Sequence, residues 1–361
     1  MTNREAQIFQ WITENPMISQ EELAAKAGIA RSSAAVHISN LMKKGYILGK
    51  GYVTNGPSYC TIIGGANIDI SGMPSESLLE GGDSQGTVAY SLGGVGRNIA
   101  HNLRMLGVNV KLVTAFGDDT YAHQIIDSCN ELGIEIADSL KLTGASTATY
   151  LHIADENRKT RFAVSDMKIY DRLTPEFVST KLELMNRGRM VVLDTNLLPE
   201  TIAYICENCK APVFAKCISA KMAEKLVPVL GQLSVVIANK AEAEVLSGIS
   251  IKDKDTLERA VDIILEHGVK NVFVDAGKEG VYCGCYDEQF MLTGPNPDME
   301  GTLGAGDAFV AGVTLGYMKH MDIRKMAKLG QAAAAITVEG TETVNTQMCV
   351  SAIAERSNLE L

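Results

Sequence analysis

From Tyr59 onwards, short runs of apolar residues alternate with longer amphipathic segments, and this alternation constrains the fold most strongly. The short runs have the length of buried strands, whereas the longer ones repeat their apolar residues with the period of a helix. Such alternation is typical of a parallel sheet flanked by helices. The predicted strands are Cys60–Ile63, Val110–Thr114, Met190–Leu193, Val213–Ala215, Val235–Ala238 and Val272–Val274, and the predicted helices are Asn98–Leu106, Tyr121–Leu132, Ala220–Leu230, Lys240–Ser247 and Thr256–His267.

Two other segments, Gly86–Ser91 and Ala148–Ala154, alternate apolar and polar residues in the manner of exposed strands. They do not have the continuous apolar character of strands buried on both faces. We expect them to belong to a small β lid, with its strands at about residues 68–92 and 147–165.

The first fifty residues follow a different plan, with three short helices and then a hairpin. A capping box, Ser19–Glu22, opens the second helix, and Gly45 ends the third, which begins near Arg31. The segment Tyr46–Val53 is predicted to form a hairpin. Together these elements resemble the winged helix-turn-helix family.

In a winged helix-turn-helix, the third helix enters the major groove of DNA. Residues 1–50 carry six basic and four acidic side chains, a charge of +2, whereas the whole chain has −10, which leaves −12 for the remainder. The candidates for DNA contact are Arg31, Ser32, Ser33, His37 and Asn40, with Lys43, Lys44 and Lys50 near phosphates. A charge of +2 is low for a DNA-binding domain, so a helical module for dimerisation or packing is the alternative.

Turn-forming residues from Thr54 to Tyr59 indicate a linker. We therefore predict a winged helix-turn-helix domain at residues 1–54 and a larger domain at residues 59–361. Eight cysteines are dispersed along the chain, as reduced thiols are in a cytoplasmic protein. A zinc site built from Cys206, Cys209, Cys283 and Cys285 has suitable spacing only in part, and it is the weaker interpretation.

The segment Gly304–Asp307 (GAGD) stands at the start of an apolar helix that runs to about Met318. Small residues let a ligand approach the backbone, and the N–H groups at a helix start attract an anion. A carboxylate would repel that anion unless it accepts a proton from the attacking group. Asp307 next to Gly304, Ala305 and Gly306 therefore suits attack of an alcohol on a phosphoryl group. The alternative is that Asp307 only stabilises the helix dipole.

Further glycine-rich motifs accompany this one. Gly93–Ala100 (GGVGRNIA) resembles the N-terminal signature of PfkB-type, ribokinase-like carbohydrate kinases, and Gly301–Gly312 resembles their C-terminal signature. Gly64–Asp69 and Asn239–Glu242 match other motifs of the family in the expected order. The resemblance implies a ribokinase-like parallel-sheet sandwich with a small β lid. The segments most similar to pseudouridine kinases, a subgroup in which a winged helix-turn-helix also precedes the kinase, are Gly86–Ser91, Thr149-Tyr150, Val164–Met167 and Asp194–Asn196.

The resemblance also implies roles for the matching residues. Asp307 matches the catalytic base, and Gly304, Ala305 and Gly306 match the anion hole. The residues that match the substrate-binding set are Asn67, Asp69, Gly93, Gly94 and Asn98, with Asp166 as a further contact from the lid. Those that match the nucleotide site are Asn239, Glu242 and Gly277, with Glu242 also holding Mg²⁺ through water. ATP and Mg²⁺ are the implied cofactors, a monovalent cation is a further candidate, and a lid-mediated homodimer is the implied assembly.

Three positions depart from the family pattern. Gly301 stands where many members have Asp, which bears on monovalent-cation binding. Lys216-Cys217 stands where the pseudouridine subgroup usually has Asp-Pro, so an acidic contribution near Mg²⁺ is missing or altered. Asp275 stands where Thr is common. None of these departures removes the base or the anion hole.

The sequence thus predicts an ATP-dependent kinase acting on a primary hydroxyl, with the 5′-OH of pseudouridine as the leading acceptor. A ribokinase-like sugar kinase or another nucleoside kinase is the alternative enzyme, and a DNA-binding regulator that uses the kinase body as a ligand sensor is the alternative class. The N-terminus lacks a signal pattern and no uncharged apolar run has the length of a membrane span. We therefore expect a cytoplasmic protein without membrane contact.

Overall fold

In a computed structural model, the chain divides into two compact units, Met1–Ser58 and Tyr59–Leu361. The structure describes residues 1–49, 58–75, 77, 82–155, 160–293, 304–340 and 342–361. Within these ranges, no helix combines the length and the apolar character that crossing a membrane requires.

The described residues of the N-terminal unit form three helices, α1 (Asn3–Glu14), α2 (Gln20–Ala27) and α3 (Arg31–Lys43). Capping boxes open the first two helices, because Thr2 pairs with Glu5 and Ser19 pairs with Glu22. The helices enclose an apolar core formed by Ile8, Ile12, Ile18, Leu23, Ile38, Leu41 and Ile47. The predicted hairpin extends beyond the described residues, since residues 50–53 are outside them.

The large unit is built on a sheet of eight strands with a second sheet of four. The strands of the described residues are β1 (Tyr59–Ile63), β2 (Asn67–Pro74), β3 (Gly86–Gly93), β4 (Asn109–Val113), β5 (Ala115–Phe116), β6 (Leu140–Lys141), β7 (Thr149–Ala154), β8 (Thr160–Asp166), β9 (Met190–Asp194), β10 (Val213–Lys216), β11 (Val235–Asn239), β12 (Asn271–Asp275), β13 (Val281–Cys285) and β14 (Gln289–Leu292). The helices are α4 (Val95–Met105), α5 (Thr120–Glu131), α6 (Pro175–Ser179), α7 (Leu182–Arg187), α8 (Pro199–Asn208), α9 (Ala220–Ala223), α10 (Lys240–Ser247), α11 (Lys254–Glu266), α12 (Ala305–Met318), α13 (Ile323–Val338) and α14 (Val350–Ser357).

The large sheet has the order β14-β13-β12-β11-β10-β9-β1-β4. Its strands from β12 to β4 run parallel, as predicted, while β13 and β14 add an antiparallel edge that the sequence pattern did not predict. Alternate residues of a strand enter two different cores. Met190 and Val192 of β9 face one layer of helices, whereas Val191 and Leu193 face the other. The structure therefore confirms the predicted α/β sandwich.

One predicted helix is wrong over most of its length. The segment predicted at Ala220–Leu230 is α-helical only in α9 and continues as a 3-10 helix from Glu224 to Gln232. Pro228 lies inside this second part. Because proline lacks an N–H group and its ring clashes with the preceding turn, an α-helix does not continue through it.

The four-stranded sheet has the order β3-β2-β7-β8 and corresponds to the predicted lid. Its outer strands are largely exposed, and every residue of β8 is exposed. The sheet begins at Asn67, four residues after β1 ends, and returns to the large sheet through Gly93 and α4. This connection places the base of the lid next to the carboxyl ends of the central strands, where ligands bind in open α/β sheets.

Candidate active site

The start of α12 offers a set of backbone N–H groups that no side chain of the described residues caps. Its N-cap is Gly304, which has a φ of +89° and no side chain to accept a hydrogen bond. A Cβ atom at this position would overlap the carbonyl oxygen of Thr343, so the approach of these two segments requires glycine. Ala305, Gly306 and Asp307 form the first turn. The helix dipole and these N–H groups together favour an anion at this point.

Asp307 lies in that first turn and is 7% exposed. The Asn98 amide donates a hydrogen bond to it, with 3.0 Å between Nδ2 and Oδ2. Burial raises the pKa of Asp307 to about 6, although the hydrogen bond from Asn98 and the charge of Lys216 act in the opposite direction. A carboxylate with this pKa is charged at neutral pH and is a stronger proton acceptor than an ordinary aspartate.

The predicted substrate-binding residues Asn67, Asp69, Gly93 and Gly94 lie together at the base of the lid. The Asn67 amide donates to Oδ1 of Asp69 at 2.7 Å, and a Cβ atom at Gly93 would overlap the other oxygen of that carboxylate. Gly94 has a φ of +96°, and its Cβ atom would lie 2.6 Å from the backbone of Ala66. Burial raises the pKa of Asp69. Gly94 is also the N-cap of α4, the helix that carries Asn98.

Asp194 was not assigned a role from the sequence. It holds the loop that contains Gly64 and Gly65, between β1 and β2. It ends β9, is 1% exposed, and its Oδ2 accepts a hydrogen bond from the Gly65 N–H at 2.8 Å. A Cβ atom at Gly64 would overlap the same carboxylate. The hydroxyl of Tyr170 both accepts from the Ala66 N–H and donates to the Ala66 carbonyl oxygen, each at 2.8 Å. Asp194 directly follows the predicted strand Met190–Leu193, and this strand-end position is the sequence signal by which it could have been found.

Asn239 and Glu242 form a capping box at the start of α10. Asn239 Oδ1 accepts from the Glu242 N–H at 2.9 Å, and Glu242 Oε2 accepts from the Asn239 N–H at 2.8 Å. The Glu242 side chain is almost fully buried, yet it lines a cavity. Asp275 pairs with Asn239 across neighbouring strands, and its Oδ1 accepts from the Gly277 N–H at 2.9 Å. Gly277 has a φ of +64°, which a glycine adopts without strain.

These elements surround a cavity of about 320 Å³. Its wall includes Asn239, Glu242 and Asp275 on one side and Gly304, Gly306 and Asp307 on the other. Lys216, at the end of β10, also lines it, and its Nζ lies 4.0 Å from Oε2 of Glu242. The cavity therefore brings together an uncapped helix start, a buried carboxylate and a lysine, a combination that suits a phosphoryl group.

Comparison with known proteins accounts for this arrangement. The pattern of the pfkB family carbohydrate kinases matches residues 58–348, which is most of the chain. The chain belongs to the pfkB family of carbohydrate kinases. A second pattern, winged helix-turn-helix DNA-binding, matches residues 5–47.

Two curated relatives of this pfkB kinase are from Escherichia coli K12. The chain is 35% identical over 339 residues to an uncharacterised sugar kinase, YeiI, covering 93% of this chain and 94% of the relative. It is 30% identical over 295 residues to a pseudouridine kinase, covering 81% of this chain and 94% of that protein. Both comparisons agree with an ATP-dependent sugar or nucleoside kinase, and they confirm the family and the enzyme class predicted from the motifs.

Solved structures support the same fold. A carbohydrate kinase from Agrobacterium tumefaciens is 26% identical, with a TM-score of 0.73 over 84% of this chain and 97% of that chain. An Arabidopsis thaliana ribokinase that was solved with ribose and ATP is 17% identical, with a TM-score of 0.74 over 84% and 100% of the two chains. At this identity the second likeness is one of fold. The pfkB kinase unit therefore has the ribokinase-like fold.

The lid of the pfkB kinase does not bring Asp166 to the side of Asp69. Residues that pair across neighbouring strands share one side of a sheet. Asp69 pairs with Tyr150, which pairs with Ser165, whereas Asp166 pairs with Thr149, the neighbour of Ile68. Asp166 is exposed. The register thus places Ser165, and not Asp166, on the side of the sheet that carries the Asp69 carboxylate.

The predicted DNA contacts of the winged helix-turn-helix domain all lie on α3. Arg31, Ser32 and Ser33 are exposed, and His37 and Asn40 are half-buried. The helix follows Ala30, which supplies no capping side chain. Arg31 forms an exposed ion pair with Glu21, 3.3 Å between Nη1 and Oε1.

Among the lysines predicted near phosphates, Lys44 has a protein partner. Its Nζ donates to both carboxylate oxygens of the buried Glu5, at 3.0 and 2.7 Å. Lys43 is exposed, and Lys50 is outside the described residues. The Lys44 ammonium therefore serves the packing of α1 against α3.

Two other predictions concern ion sites. In the part of the chain that the structure describes, no three His, Cys, Asp or Glu side chains are grouped to hold a metal ion, and all eight cysteines are free thiols. Cys206 is buried, and Cys209 and Cys285 are half-buried. Gly301, the position that bears on monovalent-cation binding, is outside the described residues.

Proposed function

We propose that this kinase transfers the γ-phosphate of ATP to the primary hydroxyl of a nucleoside, the 5′-OH of pseudouridine. The observation that carries the reaction is the position of Asp307, a buried carboxylate with a raised pKa in the uncapped first turn of α12. A base and an anion hole within one helical turn match what in-line phosphoryl transfer requires.

In the proposed step, Asp307 accepts the proton of the acceptor hydroxyl. The hydroxyl oxygen forms a bond to the γ-phosphorus, the bond from that phosphorus to the β,γ-bridging oxygen breaks, and ADP leaves with the electron pair. The N–H groups of Ala305, Gly306 and Asp307 stabilise the charge on the transferred group. Asn98 holds the carboxylate in place through its hydrogen bond to Oδ2.

Asn67, Asp69, Gly93, Gly94 and Asn98 are proposed to bind the ribose. The carboxylate of Asp69 and the amide of Asn67 lie within hydrogen-bond distance of each other, as a pair that binds vicinal hydroxyls would. Glycines at 93 and 94 leave room for the sugar against the backbone. Lid closure over this set would exclude water from the transfer.

Asn239, Glu242 and Gly277 are proposed to hold the nucleotide and Mg²⁺. Mg²⁺ is commonly bound by one or two carboxylates together with phosphates and waters. Glu242, one of the carboxylates at the cavity wall, therefore fits an ion held through water. When bound, Mg²⁺ would neutralise charge on the phosphates.

Two aromatic side chains of the lid favour a nucleoside over a free sugar as the substrate. Tyr150 pairs with Asp69, and His152 lies two residues further along the same strand, so both rings are on the side of the ribose-binding residues. Their ring centroids are 5.6 Å apart. Aromatic side chains stack on nucleobases, and the imidazole and phenol groups also form hydrogen bonds. The pseudouridine kinase relative supports the choice of base.

The test is an ATP-consumption screen of the full chain with nucleosides and sugars as acceptors. We expect the highest kcat/KM with pseudouridine, and phosphate on its 5′ oxygen by ³¹P NMR. Uridine is the matched acceptor, because it differs only in how the base is joined to ribose. A higher kcat/KM with uridine, ribose or another sugar would assign a different substrate.

A second candidate function, sequence-specific DNA binding, is supported by the winged helix-turn-helix match and by the exposed start of α3. In this role, the kinase unit would serve as the ligand sensor. The test is selection of DNA fragments by the full chain, followed by affinities at several salt concentrations. We expect Arg31→Ala to weaken binding and Arg4→Ala, an exposed arginine of α1, to leave it unchanged. Absence of selected fragments would exclude this function.

The proposal also includes a homodimer formed through the lid. The side of the lid opposite Asp69 carries exposed apolar side chains, among them Val88, Phe162 and Val164, at 78%, 68% and 65% exposure. An apolar surface of this kind is typical of an interface. Light scattering of Phe162→Asp, compared with the unchanged chain, would test the dimer. The cytoplasmic location stays a prediction.

A further inference from the structure

Lys216 occupies a place in the cavity that the proposed mechanism does not use. It ends β10, next to β9 and β11, and its side chain is 15% exposed. A Cβ atom added at Gly306 would lie 3.5 Å from Cε and 3.8 Å from Nζ of Lys216. The ammonium group therefore stands directly over the first turn of α12, beside the N–H groups proposed to bind the γ-phosphate.

The contacts of Lys216 leave its ammonium available to a ligand. Within the described ranges, its one ion pair is the 4.0 Å contact with Glu242, which is longer than a hydrogen bond. The Oε2 atom of Glu242 is already the acceptor of the Asn239 N–H at 2.8 Å. A lysine that served only to neutralise Glu242 would be expected to form a closer contact, as Lys44 does with Glu5.

We propose that Lys216 is a catalytic residue whose ammonium binds the γ-phosphate of ATP, as a resident cation opposite the N–H groups of α12. The inference rests on the proposed function. It adds a positive group that remains on the protein throughout the reaction and forms no covalent bond. Lys216 and Asp307 line the same cavity, and the charge of Lys216 lowers the pKa of Asp307.

One consequence is that the affinity for metal-free ATP depends on Lys216. Without Mg²⁺, the γ-phosphate carries its full charge, and a charge-assisted hydrogen bond to an ammonium is among the strong ones. Removing such a bond costs roughly 10- to 100-fold in affinity. ADP lacks the γ-phosphate, so its affinity is expected to change less than about 3-fold, within the weak effect of a more distant charge.

The experiment compares the full chain with Lys216→Met, Lys216→Arg and Lys325→Met by isothermal titration calorimetry in excess EDTA. The probes are AMP-PNP, a non-hydrolysable ATP analogue, and ADP. Lys325 is a half-exposed lysine of α13 that pairs with Asp322 and does not line the cavity, so it is the matched control. We expect Lys216→Met to lower the affinity for AMP-PNP but not the affinity for ADP. Lys216→Arg and Lys325→Met are expected to bind AMP-PNP as tightly as the unchanged chain does.

The outcomes separate this inference from the proposed function. Equal AMP-PNP affinities for the unchanged chain and Lys216→Met would overturn the role of Lys216 and leave the kinase assignment intact. Equal losses for AMP-PNP and ADP would also overturn it, because they would indicate a general change in the fold or in the nucleotide site. A chain that binds neither nucleotide, with or without Mg²⁺, would overturn both.

Discussion

The Asn98 side chain donates a hydrogen bond to Asp307, with 3.0 Å between Nδ2 and Oδ2, although the two residues are 209 positions apart in the chain. This bond connects α4, which follows the glycines proposed to bind ribose, to α12, which begins at the proposed anion hole. The hydrogen bond stabilises the charged form of the carboxylate, whereas burial stabilises the neutral form.

Asn98→Ala is expected to raise the pKa of Asp307 above its value of about 6, because the charged form loses a hydrogen-bond donor. The proposed base is active when it is deprotonated, so log(kcat/KM) is expected to fall with decreasing pH through this pKa. The acidic limb of the profile should therefore move to higher pH in the variant. Asn208→Ala, in an exposed position at the end of α8, should leave the profile unchanged. An unshifted limb in Asn98→Ala would contradict the assignment of this pKa to Asp307.

Asp307→Asn is expected to lower kcat by roughly 10²- to 10⁴-fold, the range for loss of a positioned proton acceptor. The side chain keeps its size, so AMP-PNP should still bind. The measurement pairs steady-state kinetics with calorimetry. Asp322→Asn is the control, since Asp322 caps the neighbouring helix α13 through the Lys325 N–H at 2.8 Å and Asn is an equally good cap. A near-normal kcat in Asp307→Asn would refute its role as the base.

Gly304→Ala is expected to abolish activity and to destabilise the kinase unit. Both Gly304 and Gly248 are helix caps with positive φ, +89° and +75°. An alanine at Gly248 would meet no atom within 4 Å, so it should cost only the strain of a left-handed conformation, about 1–2 kcal/mol. At Gly304 the Cβ atom of alanine would also overlap the Thr343 carbonyl oxygen, so the loss of stability should be larger. Urea unfolding by circular dichroism should show the larger loss at Gly304, and equal losses would contradict the geometry of this cap.

Glu5→Gln is expected to destabilise the N-terminal unit at neutral pH. The hydrogen bond from Lys44, with that from the Thr2 N–H, lowers the pKa of Glu5 from 4.5 to about 2. Because the folded-state pKa is the lower one, the stabilisation is complete above about pH 4.5 and is lost as the pH falls towards 2. The difference in urea midpoint between the variant and the unchanged chain should therefore shrink between pH 5 and pH 3.

Trp11 is the single tryptophan of the chain and packs against the core of the N-terminal unit, so its fluorescence reports on this unit in the full chain. Glu14→Gln, an exposed carboxylate at the end of α1, is the control and should not shift the midpoint. A difference that persists unchanged at pH 3 would contradict the role of the Glu5–Lys44 pair.

Much of the fold follows from interactions between residues that are close in the chain. The predicted strands Cys60–Ile63 and Val235–Ala238 lie inside β1 and β11, and α10 has the predicted bounds Lys240–Ser247. Helical periodicity, apolar strand runs and capping act over a few residues, so the sequence shows them directly. The glycine-rich motifs Gly93–Ala100 and Gly304–Asp307 could also be recognised in the sequence, because an anion-binding helix start needs small residues at fixed spacing.

The candidate site depended on contacts between distant segments. Asp194 meets Gly65 across 129 positions, and Lys216 reaches the start of α12 from a strand that ends about ninety residues earlier. The side of the lid that Asp166 occupies was also decided by strand register, because moving one residue along a strand reverses the direction of its side chain. Local sequence patterns carry no information on such pairings. Packing of the two helical layers on one sheet determined which charges share the cavity, and thus the pKa of Asp307 and the place of Lys216.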